Sequence, residues 1–176
     1  IYLSEWMMTQ WRTERNFALI GAAGIGKSTS LISTYLKQSE QFLAGNTECV
    51  PIFVRAMEFH NSNWTDFESF LMYVAADLGV KFEPPLAIDR DYIVFIDGID
   101  EVDNKSVLPI IERFLEHALG DKSIVIACRS DYFEEHISSK VGFNQLFYEV
   151  LELLTWTQEL SLKFSHEYLS ACGKLP

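Results

Sequence analysis

No run of lysines and arginines occurs anywhere in the sequence. Its 14 basic residues are scattered among 25 acidic ones, for a formal charge of −11 over 176 residues. Gripping a nucleic-acid backbone needs a clustered basic face, so direct nucleic-acid binding is not expected. The three cysteines, Cys49, Cys128 and Cys172, lie far apart with no CxxC spacing. That excludes a disulfide framework and fits a reducing, cytoplasmic compartment. Apolar runs such as Tyr92–Ile96 are far too short to span a bilayer, and no basic stretch followed by an apolar one opens the chain as a signal peptide would. No membrane partner is expected. His60, His117, His136 and His166 lack metal-ligand spacing, and no Ser-His-Asp arrangement can be read from chain order. Linkers, repeats and low-complexity stretches are missing too. The chain starts on Ile1 rather than Met and reads as a segment of something longer.

What is present is core material. Hydrophobic residues make up 48% of the chain, and its length fits one α/β domain. Short apolar runs at Phe17–Ile20, Pro51–Arg55, Tyr92–Ile96 and Ile124–Cys128 alternate with helix-period stretches, the pattern of a parallel sheet covered on both faces. A fifth run, Leu146–Leu153, is interrupted by Glu149 and Glu152 and reads as an edge strand. A helix starting near Lys27 carries Leu31, Ile32, Tyr35 and Leu36 as its apolar stripe. Phe67, Phe70, Leu71, Val74, Ala75 and Leu78 predict a helix over Thr65–Leu78. Val107–Ala118 has the same period, ended by Gly120. Thr155 and Gln158 have capping-box spacing ahead of a last helix through Leu160, Phe164 and Tyr168. Loops are expected at Glu40–Thr47, His60–Asn63, Phe82–Asp91 and Asp97–Lys105.

Directly after the first strand stands Gly21-Ala22-Ala23-Gly24-Ile25-Gly26-Lys27-Ser28-Thr29, a full match to G-x-x-x-x-G-K-[ST]. Glycines allow the backbone to curl so that successive N–H groups face phosphate oxygens. The helix that follows presents its unpaired N–H groups and positive dipole end to the same anion. Lys27 adds a point charge toward the β- and γ-phosphates, and Ser28 offers a hard oxygen to Mg²⁺. An ordinary Gly-rich turn with an exposed lysine is the bland alternative. The flanking strand and helix argue against it.

The run Tyr92–Ile96 ends in Asp97-Gly98-Ile99-Asp100-Glu101. Beside a phosphate loop, an acid at a strand end is expected to hold Mg²⁺, which makes Ser28 and Asp97 the metal candidates. Asp100 is the leading candidate to orient or deprotonate the attacking water, with Glu101 second. Arg129 follows the strand Ile124–Cys128 at the sheet edge where α/β ligands bind. It reads as a sensor of the γ-phosphate, or else as a surface partner of Asp131 or Glu134. Arg55, at the end of the second strand, is a weaker version of the same case.

Three segments together, GAAGIGKST at Gly21–Thr29, IVFIDGIDE at Ile93–Glu101 and IVIACRS at Ile124–Ser130, resemble the NACHT group of STAND-type NTPases. The Gly98 spacer that moves the second acid to Asp100 is the most discriminating piece. The resemblance covers about residues 15–170. It implies a three-layer α/β/α sandwich whose five-stranded parallel sheet runs 5-1-4-3-2, with one domain over 1–176 and residues 1–15 as its lead-in. It also implies Mg-ATP, with GTP less expected, and an ATPase switch in which exchange and slow hydrolysis gate self-association in a signalling or defence protein. By position, Gly21–Thr29 would bind phosphate, Asp97 serve Mg²⁺, Asp100 and Glu101 assist hydrolysis, and Arg129 act as first sensor. The family's helical and winged-helix parts are not in this sequence, nor are its effector and sensor domains. Two other functions compete. A small-molecule kinase shares GIGKS at Gly24–Ser28 but needs an arginine-bearing lid, whereas the arginines here are scattered. A non-catalytic scaffold would not need Lys27, Asp97 and Asp100 intact.

Overall fold

Apolar runs without a polar break become strands buried on both faces. The computed structural model describes residues 16–59, 67–77, 91–102, 109, 122–138, 147–155 and 157–171. Its strands are β1 (Asn16–Gly21), β2 (Val50–Arg55), β3 (Tyr92–Asp97), β4 (Lys122–Cys128) and β5 (Phe147–Leu153). They form one sheet in the order β2-β3-β4-β1-β5, with every neighbouring pair parallel. This is the expected 5-1-4-3-2 order read from the other edge. Among the described residues β5 pairs with β1 alone and is an edge strand, where Val150 and Glu152 reach solvent.

Alternation along the strands sends residues to two separate cores. Phe17, Leu19, Ile93, Phe95, Val125 and Ala127 pack with Leu31 and Tyr35 of α1 (Lys27–Leu43). On the other face Ala18, Ile20, Val94, Ile96 and Ile126 pack with Phe70 and Leu71 of α3 (Phe67–Asp77). That face is completed by Ile99 and by Tyr132, Phe133 and Ile137. These last three belong to α4 (Ser130–Tyr132) and a π-helical stretch (Phe133–Ser138), neither of which the hydrophobic period announces. The result is three layers, with helices on both faces of the sheet. Burying one large apolar side chain stabilises by roughly 1.5–3 kcal/mol, so each layer is held by many such increments.

Local expectations fail in three places. The stripe on α1 is rotated from the expected one. Leu31, Thr34 and Gln38 are buried, while Ile32 and Leu36 face solvent. Thr34 tolerates burial because its Oγ1 donates to the Ser30 carbonyl at 2.8 Å. The loop expected at Glu40–Thr47 begins late, because α1 continues through Leu43. It ends in a Schellman arrangement: Gly45, at φ 72, donates to Phe42 O, and Asn46 donates to Gln41 O. Finally, Thr155 does not cap the last helix. The Ser161 amide bonds the Thr157 carbonyl at 3.0 Å, so α5 (Gln158–Ala171) has its cap position at Thr157, two residues beyond the expected one. A short helix, α2 (Ala56–Phe59), follows β2 directly. All but Pro109 of the helix expected at Val107–Ala118, the loop at His60–Asn63 and nearly all of Phe82–Asp91 lie outside the described residues.

Candidate functional site

The carboxyl ends of β1, β3 and β4 meet at one edge of the sheet, and all three chemistry-bearing segments leave from there. Between β1 and α1 the loop closes on itself, with the Ile25 amide donating to Ala22 O at 3.4 Å. Gly26 stands at the helix N-cap with φ 102, a left-handed conformation that side chains disfavour. No side chain caps this helix and no acid occupies its first turn. Its leading N–H groups are left to an outside acceptor. The Lys27 ammonium folds back over the loop and donates to Gly21 O at 2.8 Å and Ala22 O at 2.9 Å. Ammonium carries three donors, so the loop holds it in place and leaves one to aim elsewhere.

Across from this loop, β3 delivers Asp97. The Ser28 hydroxyl donates to Asp97 Oδ1 at 3.1 Å, although the two residues are 69 apart in sequence. Gly98 then turns the chain at φ 73 into a 3₁₀ turn (Ile99–Glu101). Ile99 is fully buried and pins that turn to the sheet. A Cβ at Gly98 would stand 3.2 Å from Cδ and Oε2 of Glu101, so the Glu101 carboxylate lies back over the glycine. Gly98→Ala is expected to cost about 1–2 kcal/mol for the left-handed backbone alone and to push Glu101 aside. Chemical denaturation measures the first effect; an unchanged midpoint would refute it.

Asp100 faces the end of β4. Its Oδ2 accepts from Arg129 Nε at 2.8 Å and its Oδ1 from the Arg129 amide at 3.3 Å. Asp131 is a looser partner, 3.8 Å from Arg129 Nη1. The partner of Arg129 is therefore Asp100, which chain order did not anticipate, rather than Asp131 or Glu134 alone. Asp100 is 11% exposed and Arg129 46%: the acid is the fixed member and the guanidinium the accessible one. Beneath them Cys128 is buried. Burial pushes its thiol up to about 12 from 9.0, and the neighbouring Asp100 adds to this. Cys128 is thus a buried thiol that stays protonated at neutral pH.

These groups enclose an open cavity of about 290 Å³, lined on one side by Ala23, Gly24 and Gly26–Thr29 and on the other by Asp97, Gly98, Asp100, Glu101 and Arg129. Ala127 also lines it, a small residue whose lack of bulk leaves the room. Of the loop residues singled out in the sequence, Gly21 and Ala22 serve through their carbonyl oxygens. Ile25 lies elsewhere. It lines a second, more open hollow of about 630 Å³ on the far side of the loop, with Gly24, Thr29, Leu153, Leu154, Thr155 and Ser161. Sequence reasoning missed that hollow. Its one signal was the apolar pair Leu153-Leu154 at the end of the edge strand, of which Leu154 is exposed and Leu153 is partly buried.

No family model matches the chain, and no curated protein matches it. Solved structures do. The ORC1 protein of Aeropyrum pernix, in complex with DNA, matches with TM-score 0.64 and 18% identity, over 94% of this chain and 47% of that one. The ORC2 protein of the same organism, in ADPNP-ADP complexes, matches at 0.60 and 11%, over 96% and 50%. A single-residue variant of RuvB from Thermotoga maritima matches at 0.56 and 15%, over 97% and 48%. The chain has the P-loop NTPase fold. It spans about half the length of these structures, and at such identities the likeness is one of fold. In the P-loop fold the loop after β1 and the acid ending β3 share one cavity, as Lys27 and Asp97 do here. Among the described residues, no helix is long and apolar enough to cross a membrane.

Proposed function

We propose that this chain is the nucleotide-binding module of an ATPase switch, taking Mg-ATP in the cavity between the phosphate loop and the end of β3. The observation that carries the reading is the Ser28–Asp97 contact at 3.1 Å. It brings a hydroxyl from the start of α1 against a carboxylate from β3, at the mouth of an uncapped helix N-terminus. Two hard oxygen donors of this kind fit Mg²⁺, and the ion would draw charge from the β- and γ-phosphate oxygens.

The chain's own residues would then divide the work. Amides of Gly24–Thr29 and the Lys27 ammonium hold the phosphates. Arg129 leaves Asp100 to meet the terminal phosphate, which offers more negative charge than one carboxylate. Asp100, so released, orients the attacking water, with Glu101 beside it as the second acid. The nucleoside end fits the hollow beyond Ile25, where Leu153 and Leu154 offer apolar contact and Thr155 and Ser161 offer polar groups. No guanine-reading motif is evident, which favours ATP over GTP.

Within P-loop proteins, the Asp97-Gly98-Ile99-Asp100 spacing supports a NACHT-like, STAND-type switch. In such a protein nucleotide exchange and slow hydrolysis gate self-association in signalling or defence, with 1–176 as its core and effector and sensor parts outside it. Thermal denaturation with ATP, ADP and GTP, with and without Mg²⁺, tests the core claim. Nucleotide at a hundred times its dissociation constant stabilises by about 2.7 kcal/mol, and the ATP effect is expected to grow with Mg²⁺. A melting curve indifferent to all three nucleotides would sink the reading. Fast phosphate transfer to a small metabolite would move it to the kinase class.

A further inference from the structure

Three cations stand at the carboxyl edge of the sheet among the described residues, and two of them have partners there. Lys27 is held by the carbonyl oxygens of its own loop, and Arg129 is held by Asp100. The third is Arg55, last residue of β2. Its side chain is exposed and makes no ion pair among the described residues. Its place is not arbitrary. Parallel pairing sets Arg55 opposite Asp97, and Asp97 opposite Ala127. Residues paired in this way point to the same face, and adjacent strands lie only about 4.8 Å apart.

The face can be named. Two residues earlier on β2, Phe53 packs on Tyr35 of α1, ring centroids 5.6 Å apart. Two residues earlier on β3, Phe95 meets the same ring at 6.0 Å. Period-two alternation therefore sends Arg55 and Asp97 to the α1 side of the sheet, beyond the ends of those aromatic contacts. There Asp97 meets Ser28 in the first turn of α1. The backbone at Arg55 is pinned, because Ala56 is fully buried and α2 packs against the 3₁₀ turn that carries Asp100 and Glu101.

Charge gives this position a use. The cavity collects Asp97, Asp100 and Glu101, and a bound triphosphate would add several more negative charges beside them. We infer that Arg55 is a further residue of the phosphate site, reaching over Asp97 to the terminal phosphate and separating triphosphate from diphosphate. The inference rests on the nucleotide-site reading above. A long, always-charged fork suits that task, since it can reach past Asp97 and bond an anion through two N–H groups.

The test compares Arg55→Ala and Arg55→Lys with wild type, titrating a non-hydrolysable ATP analogue and ADP, each with Mg²⁺. The residue is exposed, so both variants should fold, which a melting curve checks. Arg55→Ala is expected to weaken the triphosphate about tenfold, the scale of one charged hydrogen bond, with ADP changed less than about twofold. Arg55→Lys should recover part of the loss, as a point charge without the fork. An equal loss for both nucleotides would mark a structural role and overturn the inference, as would no loss for either. Lys27→Ala runs alongside and should strip both nucleotides. Its failure to do so, or wild type binding neither, would show the site reading itself at fault, and the Arg55 assignment would fall with it.

Discussion

Lys27→Ala should remove most of the nucleotide-dependent part of the chain's stability and leave the rest untouched. The Lys27 ammonium is held by the carbonyl oxygens of Gly21 and Ala22, and neither core cluster includes it. Removing it deletes the ammonium at the mouth of the helix N-terminus. An ammonium close to phosphate in a partly shielded cleft interacts far more strongly than the same pair in water. A loss of affinity of about a hundredfold would cut the roughly 2.7 kcal/mol that nucleotide at a hundred times its dissociation constant confers to about 0.4 kcal/mol. In thermal denaturation the variant should melt close to the ligand-free wild type, and ATP should barely move it. A variant still stabilised by ATP as wild type is would show the ammonium to be an exposed charge on a turn.

The second large effect concerns Asp100. Asp100→Asn is nearly isosteric, so Oδ1 can still accept from the Arg129 amide, while the charged contact with Arg129 Nε is weakened. If Asp100 orients or deprotonates the attacking water, hydrolysis should fall by about 10²–10⁴, the range for a positioned acid or base. Binding should hold or tighten, because Arg129 is then freer to meet the terminal phosphate. Single-turnover hydrolysis beside equilibrium binding separates the two effects. If Glu101→Gln carries the loss instead, the acid is the next residue, the one lying over Gly98. If neither substitution changes measured hydrolysis, the non-catalytic scaffold gains. The Asp100–Arg129 contact makes the experiment informative, since a purely structural ion pair would reveal itself as lost stability rather than lost turnover.

Much of this architecture was legible because it is local. Tyr92–Ile96 has five apolar residues in a row, which only a strand covered on both faces can use. All five are buried in the sheet. The glutamates at 149 and 152 marked β5 as an edge because a charge cannot sit beneath a covering helix unpaired. The phosphate loop needed no tertiary information either: its glycines, lysine and serine are contiguous, and contiguity alone places their amides together. Where propensity competed with context, the reading slipped. The face α1 buries was misjudged at Ile32 and Leu36, since a helix turns its side chains toward whatever the sheet presents, and polar Thr34 can satisfy itself against its own backbone. The capping spacing at Thr155 failed for a related reason, because helix α5 starts where the first amide finds its carbonyl, at Thr157.

By itself the chain order determined which residue types stand at the strand ends, and so the chemistry on offer: amides, an ammonium, a hydroxyl and three carboxylates. Only the tertiary structure decided who meets whom. Ser28 reaches Asp97 because β1, β4 and β3 lie side by side, Arg129 binds Asp100 more closely than its sequence neighbour Asp131, and Arg55 shares a register row with Asp97. The physical reason is that strand order and pairing register are set by the two hydrophobic cores acting together, a property of the packed sheet that no single segment carries.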